Sequence, residues 1–355
     1  MFQKINEIPT PYYLFNEEKF ATILETYQQI GDVYYPVKAN DDDLIVEAAI
    51  KNSCCYEVDS IAHIRMLVNE KGINASQILY SYPIREEKDI EEAVILGIKR
   101  FVVDSTDEYE KINKYLDNGE FMIRLNVVDI LGADLPPHRN KWGLSIQNAQ
   151  KLIKKIKYDG KTVVGISFYL FEDIAKRKNL KLLLKIVSKE FAGFSLKYLN
   201  IGGGFSAQEL VEFKNILDDT RLKIGADKII VEPGRFLLNP CIDMIVSVIA
   251  IKRVGASKLV FINAGIYSGL IDVKIKGRQF DICDFEKKSI DAYETTLVCG
   301  DSSDVSDFLG EYELRSNLKV RDQLIIKECG SYSNVMQTSF YKKSRIEMKV
   351  KDKIC

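Results

Sequence analysis

Histidine is almost absent from this chain: His63 and His138 are the only two in 355 residues. His63 sits in a helical stretch after Ser60, and His138 follows Pro136 and Pro137 in a loop. Ser-His-Asp catalysis and zinc chemistry both need histidine in a defined constellation. Neither is expected, and no metal site is expected. Long apolar runs are lacking too, so no segment reads as a membrane span. The amino terminus, Met1 to Glu7, has no apolar core of the signal-peptide kind. An excess of one charge is also missing. Fifty Lys and Arg against 51 Asp and Glu leave a formal net charge of -1, without the basic patch of a nucleic-acid binder. Lysine-rich residues 151–157 read as a solvated helix face. Seven cysteines, an odd number without zinc-type spacing, suit a reducing cytoplasm. Cys54 and Cys55 lie in a strand-like run and are expected to be buried. What remains for chemistry is lysine, carboxylates, cysteine and a cofactor.

Proline disappears after Pro240, and the texture of the chain changes there. Before it, eight short β-rich runs, at 33–37, 54–58, 78–82, 100–104, 121–126, 163–170, 198–202 and 228–232, alternate with amphipathic segments such as 44–51, 61–70, 86–96, 107–116 and 180–190. Strands alternating with helices imply parallel βαβ units, and eight of them are the content of a (β/α)8 barrel. An open doubly wound sheet is the alternative, but polar, glycine-rich and charged residues gather after many strands rather than at one switch point. Beyond Pro240, residues 242–254, 258–263, 295–298 and 323–328 read as strands, with helical hints confined to 305–309. The expected class is α/β: a barrel over 16–240 and a β-rich domain over 241–355, joined by residues 1–15 through the strand-like Tyr12-Tyr13-Leu14-Phe15.

Barrel active sites lie at the carboxyl ends of the strands. Those positions hold Lys38, Glu57 with Asp59, Tyr82, Asp104, Arg124 with Asn126, Tyr169, Gly202 to Gly204, and Glu232 to Arg235. A partly desolvated lysine loses its proton more readily and attacks carbonyls; the plainer reading of Lys38 is a rim lysine in a salt bridge. Three glycines after the seventh strand let backbone N–H groups approach a phosphate; the plainer reading is a tight turn. Arg235 suits the same phosphate. Glu232 needs a partner, and a protonated pyridine nitrogen is a suitable one. An imine-forming lysine, a phosphate cradle and a ring-nitrogen carboxylate together describe a pyridoxal 5'-phosphate site.

With these pieces in order, the chain resembles the fold-type III pyridoxal-phosphate decarboxylases, the group of ornithine and diaminopimelate decarboxylases. The matching segments include Thr10-Pro11-Tyr12-Tyr13, Tyr35-Pro36-Val37-Lys38-Ala39-Asn40, Tyr56-Glu57-Val58-Asp59-Ser60, Lys141-Trp142-Gly143-Leu144, Gly165-Ile166-Ser167-Phe168, Asn200-Ile201-Gly202-Gly203-Gly204-Phe205, Glu232-Pro233-Gly234-Arg235-Phe236, Asp301-Ser302-Ser303-Asp304 and Gly330-Ser331-Tyr332. They span nearly the whole chain. The resemblance implies that Lys38 holds the cofactor, that Glu232 pairs with the ring nitrogen, and that Gly202, Gly203, Gly204, Gly234, Arg235 and Tyr332 surround the phosphate. It also implies a homodimer in which the loop around Asp301 completes the partner's site and touches substrate.

Three departures qualify the resemblance. Tyr169 stands where the family has a ring-stacking histidine, and Phe171-Glu172 replaces the following Gly-Ser, so Glu172 is expected to point away from the phosphate. Gly300 stands where the family has its proton-donating cysteine; Cys299, one residue earlier, is the candidate donor, with another group or water as the alternative. Ile275-Lys276 replaces the Tyr-Asp whose acid grips a distal amine in ornithine decarboxylases. Lys276 and Arg278 suit a substrate tail bearing a carboxylate, as in a larger conjugated intermediate; the alternative is that both cations are solvated. The expected function is decarboxylation of an amino-acid-like substrate. The rivals are an amino-acid racemase on the same fold, against which Glu232 counts, and an inactive pyridoxal-phosphate-binding homologue.

Overall fold

The chain enters through a short strand, β1 (Tyr12–Phe15), and then alternates strand with helix eight times. Strands β2 (Asp32–Pro36), β3 (Cys55–Val58), β4 (Ile78–Tyr80), β5 (Arg100–Val103), β6 (Glu120–Arg124), β7 (Thr162–Ser167), β8 (Tyr198–Asn200) and β9 (Lys228–Val231) pair in parallel, in sequence order. The pairing of β2 with β9, at Asp32 with Ile230 and Val33 with Val231, closes the barrel. The computed structural model describes residues 8–133, 135–170, 177–285, 292–340 and 344–351. The chain divides into two compact units: Ile23–Val37 with Lys51–Phe236, which carries the barrel, and Met1–Thr22 with Lys38–Ile50 and Leu237–Cys355.

Side chains on a strand alternate between faces, so a closed barrel collects every second residue inside. Tyr34, Leu79, Val102, Met122, Val164, Tyr198 and Ile230 form one buried cluster, with Cys55 packed against it. Each of the eight barrel strands supplies one member, and only the interior lets all eight meet. The outer helices follow the opposite logic. The helix Ile146–Tyr158 buries Ala149, Leu152, Ile153 and Ile156, a 3.6-residue stripe, and turns Lys151, Lys154 and Lys157 to solvent. Its Ser145 cap accepts the Asn148 N–H. The helix Ala207–Lys223 starts with a reciprocal Ser206–Glu209 capping box.

The second unit is built on a long strand, β10 (Ile242–Val254). Strands β11 (Ser257–Ile262), β12 (Ile282–Asp284), β13 (Tyr293–Cys299), β14 (Phe308–Arg315), β15 (Gln323–Ile326) and β16 (Met348–Val350) complete its sheet. The hydrogen-bonded order is β12-β15-β10-β11-β13-β14, with β1 joining antiparallel to β10 and parallel to β16. This is the expected barrel with a β-rich second domain. Three local expectations fail: Cys55 is half-buried rather than buried, a short helix forms at Asp272–Ile275, and residues 305–309 are not helical. Asp304 Oδ1 accepts the Ser306 N–H at 2.7 Å and bends the chain into a turn, and β14 then pairs along β13. Among the described residues, no helix is long and apolar enough to cross a membrane.

The interior cluster sets the barrel's stability. Leu79 is fully buried within it, and Leu79→Ala is expected to cost about 2–5 kcal/mol, measured as a lowered urea midpoint with an unchanged slope. A loss below about 1 kcal/mol would mean that the interior tolerates the cavity.

Candidate active site

Two residues further along six of the barrel strands, the same interior face changes character. Above Cys55, Leu79, Val102, Met122, Tyr198 and Ile230 stand Glu57, Ser81, Asp104, Arg124, Asn200 and Glu232. The apolar ring is thus roofed by polar side chains at the carboxyl ends of the strands. The Ser81 hydroxyl bridges Glu57 Oε1 and Asp59 Oδ1, the latter at 2.9 Å. Asp104 Oδ2 accepts the Gly143 N–H at 2.9 Å. Burial pushes the Asp104 carboxyl above its ordinary value, opposed by that N–H and by the Arg124 charge. Arg124 lies 5.8 Å from the Trp142 ring, whose edge-to-face neighbour is Tyr82 at 5.6 Å.

Glu232 is half-buried and held from the next strand. Asn200 Nδ2 donates to Glu232 Oε1 at 2.7 Å, and Asn200 Oδ1 accepts the Gly202 N–H at 2.8 Å. One amide therefore fixes both the carboxylate and the start of the glycine run. The Glu232 N–H bonds the Gly202 carbonyl at 2.9 Å, extending the β8–β9 pairing beyond both strands. The glycines are there for space. A Cβ on Gly203 would lie 2.3 Å from the Glu232 carbonyl oxygen, and Gly202 and Gly204 have φ of +66° and +93°. A Cβ on Gly202 would meet the Tyr169 ring at 3.5 Å and one on Gly204 would meet it at 3.6 Å. The half-buried Tyr169 thus lies along the glycine run. Gly234 is buried, and the half-buried Arg235 opens the short helix Arg235–Leu238. Glu172 falls outside the described residues.

In the second unit, Lys38 is half-buried in the 3-10 turn Val37–Ala39, two residues past the end of β2. That turn is moored to the chain near 330. The Tyr332 N–H bonds the Ala39 carbonyl at 2.8 Å. Asn40 donates to the Gly330 carbonyl at 2.8 Å and accepts from Asn334 at 2.9 Å. Lys38 and Tyr332, 294 positions apart in sequence, are thus brought onto one backbone network. Tyr332 has φ of +52°.

Cys299 ends β13 and is half-buried; burial, then the Asp307 charge, pushes its thiol above the ordinary value. Asp301 is half-buried and lines a cleft of about 580 Å³ with Tyr12, Asn263, Ser268 and Arg345. Lys276 caps the short helix Asp272–Ile275 and is exposed. Arg278 donates to the Glu328 carbonyl at 2.7 Å and lies 4.3 Å from the Phe280 ring. The structure gives that guanidinium protein partners of its own.

A sequence profile for the pyridoxal-binding domain of pyridoxal-dependent decarboxylases matches residues 16–239. The chain belongs to this family. It is 24% identical over 352 residues to a lysine/ornithine decarboxylase of Selenomonas ruminantium, covering 94% of this chain and 87% of that protein. It is likewise 24% identical to a diaminopimelate decarboxylase of Aquifex aeolicus, over 95% of this chain and 85% of the other. The fold matches the arginine decarboxylase of Paramecium bursaria Chlorella virus with a TM-score of 0.86 at 21% identity, covering 98% of each chain. It is a pyridoxal-phosphate-dependent decarboxylase, and its residues fit the cofactor. The Asn200-held carboxylate suits a protonated ring nitrogen, and the glycine run presents backbone where a Cβ would intrude.

Glu57, Asp104, Arg124 and Glu232 were expected at strand ends from the sequence, whereas Ser81 was not, and Asn200 entered only as a motif residue without a role. Alternation was the available signal for both: each lies two residues past an apolar interior position. We expect Asn200→Asp to set a carboxylate against Glu232 while keeping the acceptor for Gly202. Cofactor affinity should fall at least about tenfold, the scale of one lost hydrogen bond to a charged group, read by absorbance titration with pyridoxal phosphate. Unchanged affinity would separate Asn200 from the cofactor site.

Proposed function

We propose that this decarboxylase holds pyridoxal phosphate through Lys38 and removes the α-carboxylate of an amino acid whose tail is anionic. The observation that carries the cofactor assignment is the Asn200–Glu232 pair above the apolar ring of the barrel. When bound, the cofactor supplies an electron sink for the pair left by the departing carboxylate. Glu232 keeps a proton at the ring nitrogen, and Asn200 keeps Glu232 in place. Gly202, Gly203, Gly204, Gly234, Arg235 and Tyr332 would hold the phosphate, and Tyr169, which runs beside Gly202 and Gly204, would help to hold the ring. Cys299 hands a proton to Cα; its raised thiol value keeps that proton on sulfur near neutral pH. The protein acts as a homodimer in which Asp301 contacts substrate in the partner's site. The six described cysteines are all unpaired, which supports a cytoplasmic location.

Lys38→Ala should abolish both carbon dioxide release and the borohydride-reducible absorbance of the bound cofactor. Mixing it with Asp301→Ala should restore activity, because heterodimers regain one complete site. A Lys38→Ala protein that still reduces and turns over would end the assignment. No recovery after demonstrated subunit exchange would end the shared site.

The tail assignment rests on Lys276, at the position where ornithine decarboxylases carry an acid. The names of the relatives favour a second reading, a basic amino acid. A panel of lysine, ornithine, arginine, diaminopimelate and larger carboxylate-tailed amino acids distinguishes them. Carboxylate-tailed substrates should be fastest, and Lys276→Asp should raise their KM about fivefold, the scale of an exposed ion pair. Fast turnover of ornithine or lysine, indifferent to Lys276→Asp, would select the second reading.

A further inference from the structure

Gly265 and Gly300 lie on different segments, yet a Cβ built on either would strike the same carboxylate, 2.1 Å and 2.2 Å from Asp307 Oδ1. Asp307 is 4% exposed. Its Oδ1 accepts the Ile266 N–H at 2.9 Å and its Oδ2 accepts the Ser302 N–H at 3.0 Å. Its backbone carbonyl accepts the Gly300 N–H at 2.9 Å. Ile266 precedes Tyr267, and Ser302 follows Asp301, so one buried side chain ties two segments together. Tyr267 adds a second link by donating to Asp304 Oδ2 at 2.9 Å. A buried carboxylate is costly unless hydrogen-bonded, so the loop and the turn must keep this arrangement to satisfy it.

We propose that Asp307 is a positioning residue for decarboxylation: it holds the Asp301 loop against the Tyr267 turn and occupies the space a side chain at position 300 would need. This rests on the reading of Asp301 as a substrate contact. It also explains Gly300. While Asp307 is in place, position 300 cannot carry a side-chain proton donor.

Asp307→Asn keeps the shape but turns an amide N–H₂ toward one of two backbone N–H donors. Gly300→Ala displaces the same carboxylate from the other side and keeps its charge. Each variant should speed hydrogen exchange of the Ile266 or the Ser302 amide at least about tenfold, since each removes or displaces an acceptor that these two donors use. Cofactor absorbance should stay unchanged. With the fastest amino acid of the panel, kcat/KM should fall about ten- to a hundredfold, the range for hydrogen bonds to a charged group. The double variant Asp301→Ala/Asp307→Asn should be no slower than Asp301→Ala, because residues acting through one another do not add. Losses that multiply, or a slower reaction without faster exchange, would overturn the proposal. Full kcat/KM in Asp307→Asn beside an impaired Asp301→Ala would remove the positioning role alone. Full kcat/KM in Asp301→Ala would remove the reading beneath it. If both Asp307→Asn and Gly300→Ala fail to give soluble protein, Asp307 serves the fold and not the reaction.

Discussion

Closure of eight parallel strands on themselves is the constraint from which the site follows. Closure forces alternate residues inward, and the strands share a register in which one inward layer is apolar. The next inward position on six of those strands is polar: Glu57, Ser81, Asp104, Arg124, Asn200 and Glu232. The same pleat that buries Tyr198 and Ile230 therefore aims Asn200 and Glu232. A one-residue slip of β8 or β9 would turn those side chains outward, so the packing of the ring and the direction of the chemistry cannot vary independently.

Charge near this layer is kept in place by neighbours rather than by solvent. Asn200 serves Glu232, Gly143 serves Asp104, and Ser81 lies between Glu57 and Asp59. Preorganised dipoles of this kind need little rearrangement when charge develops on a bound molecule. The glycines obey the complementary rule: where backbone must meet backbone, as at Gly203 against the Glu232 carbonyl, the side chain is omitted.

Much of this was legible from local pattern. The barrel was readable because strand and helix periods differ, and Lys38, Glu232 and the glycine run because they follow strands. Asn200 was visible only as part of a motif, since its role depends on a neighbouring strand. Asp307 was invisible for a similar reason. Nothing local marks an aspartate in a turn as the acceptor for backbone donors 41 and 5 positions away. Nor does charge patterning reveal that Arg278 is engaged by the Glu328 carbonyl. Local sequence shows which face a residue takes, but not which partner satisfies it.

The mooring of the Val37–Ala39 turn has a consequence for biosynthesis. Its anchors, Gly330 and Asn334, are 290 and 294 residues downstream of Asn40. A ribosome has finished the last barrel strand well before either anchor emerges. The segment bearing Lys38 is made about 290 residues before these partners, so it acquires these hydrogen bonds only after the barrel strands have been synthesised. Maturation of the lysine turn is therefore tied to synthesis of residues 330–334, and a nascent chain interrupted after β9 would carry the lysine without these moorings.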